Sequence, residues 1–153
     1  FGSLEATVSK PIKNIIVNRK ARHEYFLFEK FEAGISLLGS EVKSLRDGRA
    51  ALGDAFVSIE PTGAWIRQFR ISTYPWANRQ NHEPMRPRQL LLNKRELRKL
   101  KRGTAERGMT IIPIRVYFLG SRVKLEIALA KGKKLHDKRQ SIKEKDLRRE
   151  MGR

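Results

Sequence analysis

The sequence predicts a mainly β fold, an antiparallel barrel of about six strands with two or three flanking helices. Short runs rich in β-branched and aromatic residues recur between residues 13 and 130, and turn residues separate them. In the last run, 123–130, large apolar side chains occupy every second position, and Lys124 and Glu126 lie on the opposite face. Its apolar face consists of Val123, Leu125, Ile127 and Leu129. This pattern favours a small OB-like barrel, and an open α+β sheet is the alternative.

The N-terminal part begins with a flexible lead-in over residues 1–12, in which Pro11 is the last irregular position. Three strands are then predicted from apolar runs: 13–17, 25–31 and 35–38. The polar residues 18–23 have the composition of a turn, and Glu32-Ala33-Gly34 separates the second strand from the third. A short helix over 40–46 follows, because Ser40 can cap it and Asp47-Gly48 can end it.

Two further strands are predicted at 51–59 and 65–71, joined by a Pro-Thr-Gly turn. Residues 72–88 contain three prolines and few periodic apolar residues, so they are expected to form a long loop.

The C-terminal part of the barrel contains a helix and a hairpin. Asn93 and Glu96 have the spacing of a capping box, which places the helix start there. Leu97 and Leu100 face inward, and Gly103 or Gly108 ends the helix. A hairpin is predicted from strands at 110–118 and 123–130 around Gly120-Ser121. Residues 131–153 then form a separate basic tail.

The net charge of +18 and the pI of about 10.8 indicate a polyanionic partner. Nucleic acid is the first interpretation. An anionic membrane is the second, but no apolar run approaches the roughly 20 residues of a spanning helix. We expect no signal peptide, and the absence of cysteine excludes disulfides and thiolate metal sites. These features fit the cytoplasm.

Signals for catalysis are weak. His23, His82 and His136 are scattered and have no metal-ligand spacing, and no phosphate-binding glycine loop occurs. Glu41 lies among basic residues, where a carboxylate usually forms a solvated ion pair. We therefore predict a protein without catalytic residues, metal or cofactor.

Two segments before the tail carry candidate binding residues. Residues 18–23, with the sequence Asn-Arg-Lys-Ala-Arg-His, are either a solvated turn or a contact surface. Residues 86–102 contain eight basic residues and one acidic residue, which favours phosphate contact. Tyr74 and Trp76 can stack on bases or pack beneath the loop.

The tail, residues 131–153, contains ten basic and four acidic residues but only four large apolar ones. Burial alone cannot order such a segment. Its charge spacing is nevertheless helical, since Glu144 precedes Arg148 by four residues and Asp137 can cap the start. We predict a tail that is disordered when free and helical when bound to RNA. A permanently disordered solubility tail is the alternative.

Four motifs in order closely resemble the small protein B family, the bacterial SsrA-binding proteins. They are Asn-Arg-Lys-Ala-Arg-His-Glu-Tyr at 18–25, Gly-Ser-Glu-Val-Lys-Ser-Leu-Arg at 39–46, Arg-Pro-Arg-Gln-Leu-Leu-Leu at 86–92 and Ala-Lys-Gly-Lys-Lys-Leu-His-Asp-Lys-Arg at 130–139. The resemblance runs from about residue 10 to the end. One departure is Ser40, where the family often has threonine.

This resemblance implies an OB-like barrel that binds the tRNA-like end of transfer-messenger RNA during rescue of stalled ribosomes. It implies a tail that fills the decoding site of the small subunit, made of 16S rRNA, and the empty mRNA channel. Elongation factor Tu is a further implied partner. A structural ribosomal protein or a general RNA-binding protein is the alternative function, and a nuclease is a third.

The candidate RNA-binding residues, from the motifs and the basic segments together, are Asn18, Arg19, Lys20, Arg22, His23, Glu41, Lys43, Arg46, Arg86, Arg88 and Lys124. On the resemblance, Glu41 lies on the RNA-facing surface, where it accepts from base amino groups or orients an arginine. The tail residues assigned to the ribosome are Lys131, Gly132, Lys133, Lys134, His136, Asp137, Lys138 and Arg139. His136 is suited to stacking on a decoding-centre base.

Overall fold

The computed structural model describes residues 11–75 and 81–133. Nine strands lie in those ranges: β1 Ile12–Val17, β2 Tyr25–Ile35, β3 Ala50–Ala51, β4 Phe56–Glu60, β5 Gly63–Arg67, β6 Arg70–Ile71, β7 Arg88–Leu91, β8 Thr110–Leu119 and β9 Arg122–Gly132. The same ranges contain three helices: α1 Arg19–Glu24, α2 Gly39–Arg46 and α3 Lys94–Arg107. None of these helices is long and apolar enough to cross a membrane.

Six strands close the barrel. Around the ring they follow the order β8, β4, β5, β7, β2 and β9, and β9 pairs again with β8. All of these pairings are antiparallel. β1 lies outside the ring and pairs with residues 115–119 of β8, whereas β4 meets β8 at Ile111. The predicted closed barrel is confirmed, and the open sheet is wrong.

Bulges let the long strands bend around this small barrel. The register shifts between Leu27 and Lys30 in β2, and between Pro113 and Arg115 in β8. A bulge adds an unpaired residue and increases the local bend and twist. Pro113 has no N–H to donate, so an irregular position in β8 suits it.

The apolar face of β9 forms one wall of the core. Val123, Leu125, Ile127 and Leu129 are all buried, which confirms the predicted alternation. The predicted capping box of α3 is also confirmed: the Asn93 side chain accepts from Glu96 N at 2.8 Å, and Glu96 Oε1 accepts from Asn93 N at 3.1 Å. Gly108 ends α3 in the left-handed conformation, with φ +62°.

Gly103 is a point of close approach between α3 and β9. A Cβ there would lie 2.7 Å from Leu129 Cδ2 and 2.8 Å from Cδ1. We expect Gly103→Ala to lower the free energy of unfolding by about 1 kcal/mol, since overpacking outweighs the gain in helix propensity. Urea unfolding checks this against Thr104→Ala, which adds propensity at a half-buried position. An increase in stability for Gly103→Ala would show that Leu129 can move aside.

Residues 18–23 are not a turn. Arg19–Glu24 form α1, a helix of six residues. Ala21 is 1% exposed and packs with Ile112 and Ile114 of β8 on the outer face of the barrel. Its small side chain lets the helix lie close to the sheet, so the helix is stabilised by packing rather than by its own propensity.

Residues 25–35 form one strand where two were predicted. Glu32, Ala33 and Gly34 continue β2 in register with β9. Ala33 is fully buried, and Gly34 lies under Leu91, whose Cβ would be 3.2 Å from a Cβ at that position. The Glu-Ala-Gly segment has the composition of a break between two strands, but in the structure its small residues allow β2 to pack closely.

Other predicted boundaries shift as well. The strand predicted at 51–59 is divided into β3 and β4 around Gly53, which has φ +50°, and the strand at 65–71 is divided at Gln68, which has φ +59°. β7 was not predicted, because its residues fell partly in the long loop. Ser40 is not a cap: Leu38 is the N-cap residue of α2, and Ser40 lies inside the helix.

Candidate nucleic-acid interface

The α1 surface, defined as residues 18–23, presents four exposed basic or ionisable side chains: Arg19, Lys20, Arg22 and His23. Asn18 fixes this surface to the barrel. Its side-chain Nδ2 donates to Pro113 O at 2.8 Å, and its backbone N donates to Ile114 O at 2.7 Å. Asn18 is thus half-buried and has a structural contact of its own.

A groove of about 650 Å³ separates α1 from β1 and β8. Arg19, Arg22 and Arg115 line it, together with Glu126. The Arg115 guanidinium stacks 4.3 Å from the centre of the Tyr117 ring and donates to Asn14 Oδ1 at 3.0 Å. Arg115 Nε also lies 3.4 Å from Glu126 Oε2, and the remaining net positive charge of the groove attracts phosphate.

Tyr117, beneath Arg115, is held as a hydrogen-bond donor. Its hydroxyl donates to a carboxylate oxygen of Glu32. Burial and this hydrogen bond raise the pKa of Tyr117 far above its ordinary value. The ring therefore stays neutral and provides a fixed support for the guanidinium above it.

A buried ion cluster, formed by Glu41, Arg86 and Arg88, lies beneath a second surface. The side chains of Glu41 and Arg88 are 0% exposed, and Arg86 is 33% exposed. Arg86 Nη2 lies 2.6 Å from Glu41 Oε1, and Arg88 Nη2 lies 2.5 Å from Glu41 Oε2. The backbone N–H of Leu38 also donates to Oε1 at 2.8 Å.

Arg88 donates through Nε to Glu41 Oε2 at 2.5 Å, and both of its Nη atoms donate to backbone carbonyls. Nη1 donates to Phe69 O, and Nη2 donates to Pro84 O at 3.2 Å and to Glu83 O at 3.4 Å. The guanidinium thus joins α2, the residue before β6 and the segment before β7. Such a charge is tolerated in the interior because its donors are matched.

The cluster stays ionised. Burial raises the pKa of Glu41, but the hydrogen bond from Arg86, that from Leu38 N–H and the charge of Arg88 together hold it below its ordinary value. Burial lowers the pKa of Arg88, and the Glu41 carboxylate opposes that shift. The Glu41 carboxylate and the Arg88 guanidinium each favour the ionised form of the other.

The expectation that Glu41 and Arg88 lie on the surface is therefore wrong. Neither side chain can touch a base or a phosphate in this conformation, and Glu41 is not a solvated ion pair. Of the two tasks considered for Glu41, orienting an arginine is the one that its contacts match. Arg86 is the member of the cluster that reaches solvent.

The surface above the cluster carries Lys43 and Arg46, which are exposed on α2. Lys43 Nζ lies 5.7 Å from the centre of the half-buried Tyr74 ring. Lys124 is half-buried on the outer face of β9, opposite Tyr117. Trp76, the other candidate for stacking, lies outside the described residues.

His82 and Ser40 form a contact that was not predicted. His82 Nε2 lies 2.8 Å from Ile71 O, and Nδ1 lies 2.8 Å from Ser40 Oγ. Because a carbonyl oxygen can only accept, Nε2 is the donor to Ile71 O. The signal was present in α2, where Ser40, Glu41 and Ser44 are polar but lie on the face that is buried. No group of three or more acidic or histidine residues in the described ranges could hold a metal ion.

β9 extends through Gly132, so Lys131 and Gly132 belong to a strand and not to the tail. Lys133 is the last described residue. Its Nζ donates to Arg22 O at 2.9 Å and lies 5.3 Å from the centre of the Phe26 ring. Lys134, His136, Asp137, Lys138 and Arg139 lie outside the described residues.

A closed barrel with an exposed basic helix and a guanidinium-lined groove defines the chain as a small β-barrel protein of the nucleic-acid-binding class. The family described as "SmpB protein" matches residues 15–153. The chain belongs to the SmpB family.

Relatives and a solved structure agree with this membership. The SsrA-binding protein of Desulforudis audaxviator is 51% identical over 144 residues, which cover 94% of each chain. That of Carboxydothermus hydrogenoformans is 50% identical over 139 residues, covering 91% of this chain and 93% of the relative. A chain in the structure described as "tmRNA-SmpB: a journey to the center of the bacterial ribosome" is 39% identical, with a TM-score of 0.65, and the likeness covers 77% of this chain and 83% of that one.

Proposed function

We propose that the protein is an RNA-binding adaptor of trans-translation that binds the tRNA-like domain of transfer-messenger RNA. The observation that carries the proposal is the α1 surface of an SmpB-family barrel. Four side chains there, Arg19, Lys20, Arg22 and His23, are exposed, while Asn18 and buried Ala21 fix the helix to the sheet. A rigid row of cations positions phosphates with little loss of entropy on binding.

The second RNA contact in this proposal is the surface above the buried ion cluster. Lys43, Arg46 and Arg86 would contact phosphates, while Glu41, itself bonded to Arg88, holds Arg86 in place from beneath. Lys124 would add a contact on β9. Glu41 and Arg88 are thus positioning residues, which act through the arginine that reaches solvent.

The tail completes the proposed activity. Lys133, Lys134 and His136 would enter the decoding site of the small ribosomal subunit and contact 16S rRNA, and Asp137, Lys138 and Arg139 would lead into the mRNA channel. Lys131 and Gly132, as the end of β9, would aim the tail. The family resemblance also supports elongation factor Tu as a partner, the cytoplasm as the location and binding rather than catalysis.

Neutralising the α1 surface is expected to weaken RNA binding and its salt dependence together. The triple variant Arg19→Gln, Lys20→Gln and Arg22→Gln loses up to three phosphate contacts. We expect the slope of log affinity against log salt to fall by about 2–3, and the affinity to fall at least about 10-fold. Fluorescence anisotropy with the isolated tRNA-like domain, over a series of KCl concentrations, measures both.

The matched control removes three exposed cations elsewhere, with Lys13→Gln, Arg107→Gln and Arg122→Gln. Its salt slope should stay close to that of the wild type. If the control and the α1 variant lose the same slope, binding depends on net charge alone. A structural ribosomal protein would instead bind every translating ribosome in equal amount, which sedimentation of stalled and elongating ribosomes distinguishes.

A further inference from the structure

Two phenylalanines of β2 are exposed where β9 ends. Phe26 is 41% exposed and Phe28 is 47% exposed, and no other aromatic side chain in the described ranges stands among the large exposed apolar residues. Leu27 between them packs on the other face, in the cluster beneath α1. Phe26 and Phe28 therefore point away from α1 and define what we name the β2 platform.

The bulge of β2 accounts for this exposure. Phe26 is opposite Lys131 and Leu27 is opposite Ala130, but the register resumes only at Lys30, opposite Ala128. Phe28 thus lies in the irregular stretch, next to Glu29. Beyond the bulge, Phe31 enters the core opposite Ile127. A bulge re-aims side chains, and here both rings lie on the sheet face opposite Leu27, at the end of the barrel, where they stay exposed.

Cations surround the β2 platform. Lys133 Nζ lies 5.3 Å from the centre of the Phe26 ring, and the cross-strand neighbour of Phe26 is the exposed Lys131. On the other side, Lys99 of α3 pairs with Glu29 at 3.0 Å, and both are about half exposed. The rim is therefore mainly basic rather than apolar.

Exposed rings within a basic rim match the chemistry of single-stranded nucleic acid, in which bases stack on aromatic side chains and phosphates meet cations. An apolar peptide would leave the lysines of the rim without partners. We propose that Phe26 and Phe28 stack on an unpaired RNA base and that Lys131 contacts a flanking phosphate. The inference rests on the proposed RNA-binding function but uses a surface apart from the α1 surface and the buried ion cluster.

The test uses the full chain and a labelled oligoadenylate of about ten nucleotides. The double variant Phe26→Leu and Phe28→Leu keeps apolar volume but removes both rings. We expect its affinity in anisotropy to fall at least about 5-fold, the effect of losing one stacked base. The salt slope should stay unchanged, because no cation is removed. The double variant Phe26→Tyr and Phe28→Tyr should restore the affinity.

A control variant and a crosslinking experiment test whether the loss of affinity comes from the β2 platform. Ile12→Ala removes an exposed apolar side chain at the start of β1 and should leave the affinity unchanged. Photocrosslinking of RNA that contains 5-bromouridine should give adducts at Phe26 or Phe28. The proposal would be wrong if the leucine variant kept its affinity, or if adducts formed at the α1 surface alone. If wild type also fails to bind the tRNA-like domain, the proposed function itself is wrong.

Discussion

Glu41→Ala is expected to lower the free energy of unfolding by about 3–5 kcal/mol, the loss typical when one partner of a buried ion pair is removed. The reason is Arg88, whose side chain is 0% exposed and would keep its charge without the carboxylate 2.5 Å away. Arg86 would lose its anchor as well, so affinity for the tRNA-like domain should also fall. Urea unfolding followed by circular dichroism measures the stability.

Glu60→Ala is the matched control. Glu60 pairs with Arg67 at 2.5 Å, but the two side chains are 34% and 37% exposed. A pair so open to solvent contributes about 0–1 kcal/mol. Equal losses for Glu41→Ala and Glu60→Ala would show that the interior of the cluster is accessible to water.

The same carboxylate predicts a pH dependence. The pKa of Glu41 is lower in the folded protein than its ordinary value of 4.5. A depressed folded pKa stabilises the protein above the unfolded value, and that stability is lost as the pH falls through the folded value. The difference in stability between wild type and Glu41→Gln should therefore shrink as the pH is lowered below about 4.5. A difference that grows in acid would contradict an ionised Glu41.

The tail is expected to be separable from the barrel in function. The variant Lys133→Ala, Lys134→Ala and His136→Ala should bind the tRNA-like domain nearly as tightly as wild type, because the α1 surface is intact. Peptide tagging on stalled ribosomes should fall about 100-fold or more, since each charged hydrogen bond contributes about 1.5–3 kcal/mol. A reconstituted translation reaction with a truncated mRNA measures tagging.

Lys143→Ala and Lys145→Ala remove nearby charges of the same tail and serve as the comparison. We expect a smaller loss of tagging from them. A tail variant that lost affinity for the tRNA-like domain as severely as the α1 variant would rule out this division between barrel and tail.

Sequence patterns predicted the elements that are determined by residues close together in the chain. The alternation of β9 and the capping box of α3 each depend on residues a few positions apart, so both could be predicted. α1 could not, because its hydrogen bond from Asn18 joins residues 95 positions apart and its buried Ala21 needs the β8 surface. The division of the strand at 65–71 was not predicted. It depends on the positive φ of Gln68, and glutamine is not a residue type that indicates such a conformation.

The candidate site shows the same limit. Charged residues are mostly exposed, so a sequence rich in arginine gives no reason to bury Arg88. Its partner Glu41 lies 47 positions away, and only the closed barrel brings α2 next to β7. The exposed residues of α1 could be chosen by motif, whereas the residues that hold Arg86 needed the structure.

The contact of Lys133 with Arg22 O, at 2.9 Å, ties the origin of the tail to the C-terminal turn of the helix that carries the proposed RNA contacts. If residues 134–153 became fully helical, they would span about 30 Å from that point. A helical tail that starts at a fixed point and has a fixed length would reach a fixed distance from α1. Where α1 docks would then determine how far from the bound RNA the last residues can reach, so shortening the tail by one helical turn would move its tip by about 5 Å.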